Sequence, residues 1–66
     1  MRIEYLIKEI RHSKNITLRE LSKKTGIAVG YLSEIERNEK KPKFDYVVLI
    51  AKALNVKLEE LYKEIR

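Results

Sequence analysis

Four cations and one carboxylate crowd into seven residues, Arg37-Asn38-Glu39-Lys40-Lys41-Pro42-Lys43, for a net charge of +3. Guanidinium and ammonium groups at that density suit one kind of chemistry, the binding of a polyanion such as a phosphate backbone. Just upstream lies TGIAVGYLSEIER, residues 25 to 37. Here a glycine-containing turn feeds a short segment whose first residues, Ala28, Val29, Gly30 and Tyr31, offer almost nothing that hydrogen-bonds to a base edge. Ser33 and Glu34 follow with a hydroxyl and a carboxylate. No catalytic constellation accompanies them. There is no cysteine and a single histidine, His12, so no thiolate or histidine metal site can be assembled. No nucleophile has a base at hand, and no glycine-rich loop cradles a phosphate. The expectation is a protein that is not an enzyme, with no cofactor and no metal. His12 reads as a surface or capping residue near a helix end, where a cation is mildly favoured.

The charge is uneven along the chain. Residues 1 to 43 hold eleven Lys/Arg and six Asp/Glu, which accounts for the whole net charge of +5, and residues 44 to 66 sum to zero. One basic half and one neutral half suggest a face made for nucleic acid. Sixty-six residues make one small domain, expected to span 1 to 66. A chain this short buries only about 60% of its unfolded surface. Without disulfides or a metal, regular helix packing or dimerisation must supply stability. No apolar run approaches the roughly 18 residues of a membrane span, and Arg2, Glu4, Lys8 and Glu9 break any signal-peptide core. The reading is a soluble, cytoplasmic protein without a membrane partner.

The elements that must position these residues read as five helices and no strands, an all-α bundle. Ile3, Leu6, Ile7 and Ile10 recur at three- and four-residue spacing and predict a helix over 2–13. Thr17 followed by Glu20 forms a capping-box pattern and opens a second helix over 18–24, burying Leu18 or Leu21. Gly26 ends it in a left-handed conformation. A third helix runs over 28–36 with Leu32 and Ile35 inward, and the pair makes a helix-turn-helix. Pro42 closes the basic loop. A fourth helix over 44–54 turns Phe44, Val47, Val48, Ile50, Ala51 and Leu54 toward the core and stops at Asn55. A fifth, over 58–65, carries a stripe of Leu58, Leu61, Tyr62 and Ile65, and pairs Glu59 with Lys63 on its solvated face.

The stretch LRELSKKTGIAVGYLSEIERNEKKPKFDYVVLIAKALNVKLEEL resembles the Cro/C1-type, or XRE-type, helix-turn-helix family. The likeness covers about Ile7 to Tyr62. It rests on Leu21, Gly26-Ile27, Tyr31-Leu32-Ser33, Ile35-Glu36-Arg37, Pro42 and Ala51-Lys52-Ala53-Leu54. The resemblance implies a compact five-helix, lambda-repressor-like domain whose third helix enters the major groove of double-stranded DNA. It also implies roles. Arg11 and Glu36 match a structural salt bridge. Thr17, Leu18 and Arg19 match a phosphate contact at the start of the second helix, where amides and helix dipole favour an anion, although the family often has glutamine in place of Leu18. Arg37, Asn38, Lys40, Lys41 and Lys43 match a loop that grips the backbone. Ala28, Val29, Gly30, Tyr31, Ser33 and Glu34 match base- or groove-facing positions.

That recognition helix is weak as a helix. Alanine as N-cap costs roughly 1 kcal/mol against serine or threonine, and Gly30 costs about another 0.5–1 kcal/mol against alanine. No arginine or lysine lies within 28 to 36, so the commonest guanine contact is missing. Val29 and Ala28 suit the thymine methyl, and Glu34 suits cytosine N4. Affinity would come mainly from phosphates, with shape readout added. The family usually binds two-fold sites, so a homodimer is expected, with Tyr62 and Ile65 as its interface, or Leu49 and Tyr46 as a second patch. A competing reading makes the apolar start of the third helix a docking surface for a protein partner, since fold does not dictate function. The cationic loop argues for DNA.

Overall fold

In the computed structural model, which describes residues 1–66, the elements run β1 (Arg2–Tyr5), α1 (Ile7–Ser13), α2 (Leu18–Thr25), α3 (Val29–Glu36), α4 (Phe44–Leu54), a single 3-10 turn (Leu58–Glu60) and β2 (Tyr62–Ile65). The expected bundle of five helices is therefore four helices closed by a two-stranded sheet. The middle of the chain follows the sequence periodicity. Both ends depart from it.

The departure has a physical cause. Ile3 and Tyr5 in Arg-Ile-Glu-Tyr stand two apart, as on one face of a strand, while Tyr62 and Ile65 in Tyr-Lys-Glu-Ile stand three apart, and four residues are too few to fix either period. β-Branched and aromatic residues favour strands. A lone terminal turn of helix is costly to nucleate, whereas pairing the two ends gives their backbones partners. The strands run antiparallel, with Arg2 opposite Ile65, Ile3 opposite Glu64, Glu4 opposite Lys63 and Tyr5 opposite Tyr62. Glu4 and Lys63 make an ion pair at 3.6 Å across the strands. The Leu6 amide donates to the Leu61 carbonyl at 2.7 Å and extends the pairing to the foot of α1. Leu61 is fully buried beneath this closure. Tyr62 and Ile65 consequently sit on a strand, not on a helical stripe.

The core is made by Ile7, Leu21, Leu32, Ile35, Ile50, Leu54 and Leu61, all without solvent exposure. On α4 the buried positions are Val47, Ile50, Ala51 and Leu54, the three- and four-residue spacing of one helical face. Leu21, not Leu18, is the residue that α2 buries fully. Phe44, expected inward, is 67% exposed, because it begins α4 one turn before that helix meets the core. No helix is long and apolar enough to cross a membrane.

Asparagine ends three of the four helices. Asn15, Asn38 and Asn55 adopt φ near +57°, +61° and +58°. At each, two amides fold back on the last turn. Asn38 donates to Ile35 at 3.0 Å and Glu39 to Glu34 at 2.9 Å, while Asn55 donates to Lys52 at 3.1 Å and Val56 to Ala51 at 3.0 Å. This pattern satisfies carbonyls that a helix end would otherwise strand. Gly26, at φ +78°, serves α2. Left-handed backbone costs other L-residues about 1–2 kcal/mol. Asn55→Val should therefore lower the unfolding free energy by about that amount in urea titrations, and Asn55→Gly should leave it nearly unchanged.

Candidate nucleic-acid interface

The helix-turn-helix is stitched at its corner by short polar side chains. Ser22 Oγ donates to the Ile27 carbonyl at 2.6 Å, Thr25 Oγ1 donates to Leu21 at 2.8 Å, and the Ile27 amide donates to Thr25 Oγ1 at 3.1 Å. With Ile27 buried, this corner holds the angle between α2 and α3. At the other end of α3, Arg11 reaches across from α1. Its Nε donates to Glu36 Oε2 at 2.8 Å, its Nη2 to Glu36 Oε1 at 3.0 Å, and its Nη1 to the Ile16 carbonyl at 2.9 Å. His12 Nε2 lies 3.3 Å from Nη2. Both side chains of the pair are nearly buried, 8% and 6% exposed. The hydrogen bonds to Glu36 raise the Arg11 pKa above its usual value, against the opposing effect of burial. Glu36 is turned away from the outer surface.

At the start of α2 the box suggested by Thr17 and Glu20 is closed in both directions. The Glu20 amide donates to Thr17 Oγ1 at 3.1 Å, and the Thr17 amide donates to Glu20 Oε1 at 2.9 Å. The bond from the Thr17 amide, then that involving its hydroxyl, holds the Glu20 carboxyl below the ordinary carboxylate range. Leu18 and Arg19 are left with the open amides of this first turn. Leu18 also shares a surface depression with Lys8, Ser33 and Arg37, above the Arg11–Glu36 pair. The start of α2 and the end of α3 thus face one trough, and Lys8 joins it from α1. Spacing alone could not single out Lys8, because it becomes a neighbour of α3 only when the helices pack.

Along α3, Ala28, Val29 and Gly30 are exposed. Ala28 supplies no side-chain cap. A methyl added at Gly30 would meet nothing within 4 Å, so no contact within the chain requires glycine there. Tyr31 is half-buried and packs edge-on against Tyr46, with ring centroids 5.5 Å apart. Lys40 Nζ lies 5.9 Å from the Tyr31 centroid, in cation–π reach. Tyr46 is thereby engaged inside the chain, while Leu49 remains exposed on α4. Ser33 Oγ accepts from Arg37 Nη1, as i, i+4 spacing permits. Glu34 is half-buried.

The loop cations differ in what surrounds them. Arg37 donates to both oxygens of Glu39, at 2.9 and 3.0 Å. That pairing raises the arginine's pKa and lowers the carboxyl's. Asn38 turns the chain in its left-handed conformation. Lys40, Lys41 and Lys43 are exposed and take no part in the three ion pairs of the molecule, which are Arg11–Glu36, Arg37–Glu39 and Lys63–Glu4. The result is an uncovered, mostly apolar helix start with Lys40 beside its Tyr31, and two more exposed lysines outside any ion pair in the loop that follows.

A helix-turn-helix family model matches residues 7–61. An uncharacterized HTH-type transcriptional regulator of Mycobacterium tuberculosis is 39% identical over 56 residues, covering 85% of this chain and 40% of the relative. The HTH-type transcriptional regulator SinR of Bacillus licheniformis is 37% identical over 59 residues, covering 88% of this chain and 53% of its own. The crystal structure of SinR, described as the master regulator for biofilm formation, in complex with DNA superposes with a TM-score of 0.75 at 37% identity, covering 80% of this chain and 86% of that one. The chain spans about half the length, or less, of these curated relatives.

Two outcomes follow from the geometry. Arg11→Met strands a buried carboxylate and should cost about 3–5 kcal/mol, whereas Arg11→Met with Glu36→Leu should recover most of that loss, both read by urea unfolding. Glu20 has a depressed folded-state pKa, so its contribution is fully present above the unfolded carboxylate value of about 4.3 and is lost as pH falls through the folded value. Glu20→Gln keeps the hydrogen bond and removes the charge. Its Tm deficit should be greatest near neutral pH and should close in acid, below about pH 4.

Proposed function

Because this chain belongs to the Cro/C1-type (XRE) helix-turn-helix family, we propose that it is a sequence-specific regulator of transcription that binds double-stranded DNA as a homodimer, with α3 in the major groove. On this reading it represses by occluding a promoter. The observation that carries the proposal is the exposed start of α3 with Lys40 beside its Tyr31, in a loop whose Lys40, Lys41 and Lys43 are exposed and outside any ion pair. A phosphate backbone supplies the missing negative charge, and its released counterions make binding strongly salt-dependent.

Positioning and readout divide between different residues. Leu18 and Arg19 at the head of α2, with Thr17 beside them, take one phosphate through backbone amides and the Arg19 guanidinium. Arg37, Asn38, Lys40, Lys41 and Lys43 take phosphates beyond α3. Arg37 does so by exchanging Glu39 for the DNA, since an exposed ion pair is worth only about 0–1 kcal/mol. Ala28 and Val29 touch thymine methyls, Gly30 lets the helix approach the groove floor, and the hydroxyls of Tyr31 and Ser33 reach bases or phosphates. Glu34 accepts from cytosine. Tyr31 is held by Tyr46 and Lys40, so its ring is a rigid wall, not a stacking platform. A dimer sets two such helices about 34 Å apart. Leu49, like Phe44, is an apolar side chain that α4 leaves outward, and Tyr62 and Ile65 are half-buried on β2. These are the candidate contacts between copies, and Leu49→Lys set against Tyr62→Lys in analytical ultracentrifugation separates the two patches.

The first experiment is selection from a random duplex library, with the enriched duplex re-titrated across salt concentrations. A two-fold sequence with thymines under Ala28 and Val29 and a steep salt slope supports the proposal. Binding without enrichment, or guanine-rich half-sites held by α3, overturns it. Gly30→Ala separates fold from function, because it should stabilise the protein by about 0.5–1 kcal/mol yet weaken binding to the enriched duplex by holding α3 off the groove floor.

A further inference from the structure

The cationic surface does not end with the loop. A cleft opens between β1 and that loop, lined by Arg2, Glu4, Asn38, Lys40 and Lys41 among others. It exists because the first residues form a strand; as the start of a helix they would not lie along the loop. Two carboxylates stand near these cations, and both are already engaged. Glu4 pairs with Lys63 across the sheet, and Glu39, which does not line the cleft, is held by Arg37 in the free protein. None of Arg2, Lys40 and Lys41 has an ion-pair partner. Because the sheet has only two strands, the edge of β1 away from β2 is left without a strand partner, and its amides are further donors. Lys40, lying beside the Tyr31 ring, makes the cleft continuous with α3.

We infer that this cleft is a further phosphate-binding site, in which Arg2 joins Lys40 and Lys41 to grip the DNA backbone outside the base pairs that α3 covers. The inference rests on the DNA-binding reading above and extends its footprint to the terminal sheet. Three converging cations repel one another, and a backbone phosphate between them relieves that repulsion. Arg2 presents a forked donor suited to phosphate oxygens.

The test uses the duplex enriched by selection, in two lengths: one trimmed to its half-sites and one extended by about a helical turn at each end. Wild type, Arg2→Gln and Arg2→Lys are titrated on both across salt. On the extended duplex, Arg2→Gln should reduce the magnitude of the salt slope by about 0.9 per protomer and weaken binding several-fold, while Arg2→Lys stays near wild type. On the trimmed duplex all three should coincide. Circular dichroism melting of Arg2→Gln checks that the fold persists, and if it does not, Lys41→Gln, on the opposite wall, must lose more affinity and more salt slope on the extended duplex than on the trimmed one. Equal slopes for wild type and Arg2→Gln on both lengths overturn the inference while leaving the DNA-binding reading intact. They would leave the cleft to an acidic protein partner. A wild type that enriches no duplex fails the parent reading instead, which is a different result.

Discussion

A guanidinium buried to 8% exposure must satisfy its donors inside the protein or pay heavily for its desolvation. Arg11 satisfies them with both oxygens of Glu36 and the carbonyl of Ile16. One side chain on α1 therefore pins the end of α3 and the link that leads into α2. The angle at which α3 is presented is held at one end by this pair and at the other by the Ser22 and Thr25 bonds of the turn. The trough above the pair, where Leu18, Ser33, Arg37 and Lys8 meet, is a consequence of that clamp.

The molecule has little apolar volume with which to stabilise itself and no cross-links. It compensates at its boundaries. Three asparagines in left-handed conformations, with Gly26, close the four helices by bonding their last carbonyls. The two ends of the chain lie side by side as a small sheet over Leu61. These local devices allow α3 to be poor as a helix. It has no side-chain cap and carries a glycine that no contact within the chain requires. Such local weakness, supported from elsewhere in the fold, fits a surface shaped for a ligand.

The charge pattern has the same logic. Two of the three carboxylates in ion pairs serve architecture, Glu36 within the core clamp and Glu4 across the strands, while Glu39 holds Arg37 in an exposed pair on the loop. The lysines that follow α3 are left without such partners. An excess of one sign costs compactness through self-repulsion, and the proposed DNA ligand turns that cost into attraction.

Much of this was legible in the sequence because it is local. Helical spacing of apolar residues identified three helices close to their observed bounds and the latter part of the first, the Thr17–Glu20 box announced the start of α2, and Gly26 and Asn55 announced helix ends. The Arg11–Glu36 pairing is 25 residues apart in sequence, so spacing could not reveal it, and only family resemblance pointed there. The terminal sheet was beyond a one-dimensional reading. Ile3 and Tyr5 stand two apart and Tyr62 and Ile65 three apart, too short a pattern in four residues to fix a state, which is decided by whether a partner strand lies beside the segment. Packing brought Arg2–Tyr5 against Tyr62–Ile65, laid Tyr31 against Tyr46 and brought Lys8 to α3. The sequence by itself determined the helices, their caps and the excess of positive charge, which depend on neighbours a few residues away. The tertiary structure decided which ends paired and which cations came to share a face, because both depend on contacts between residues far apart in the chain.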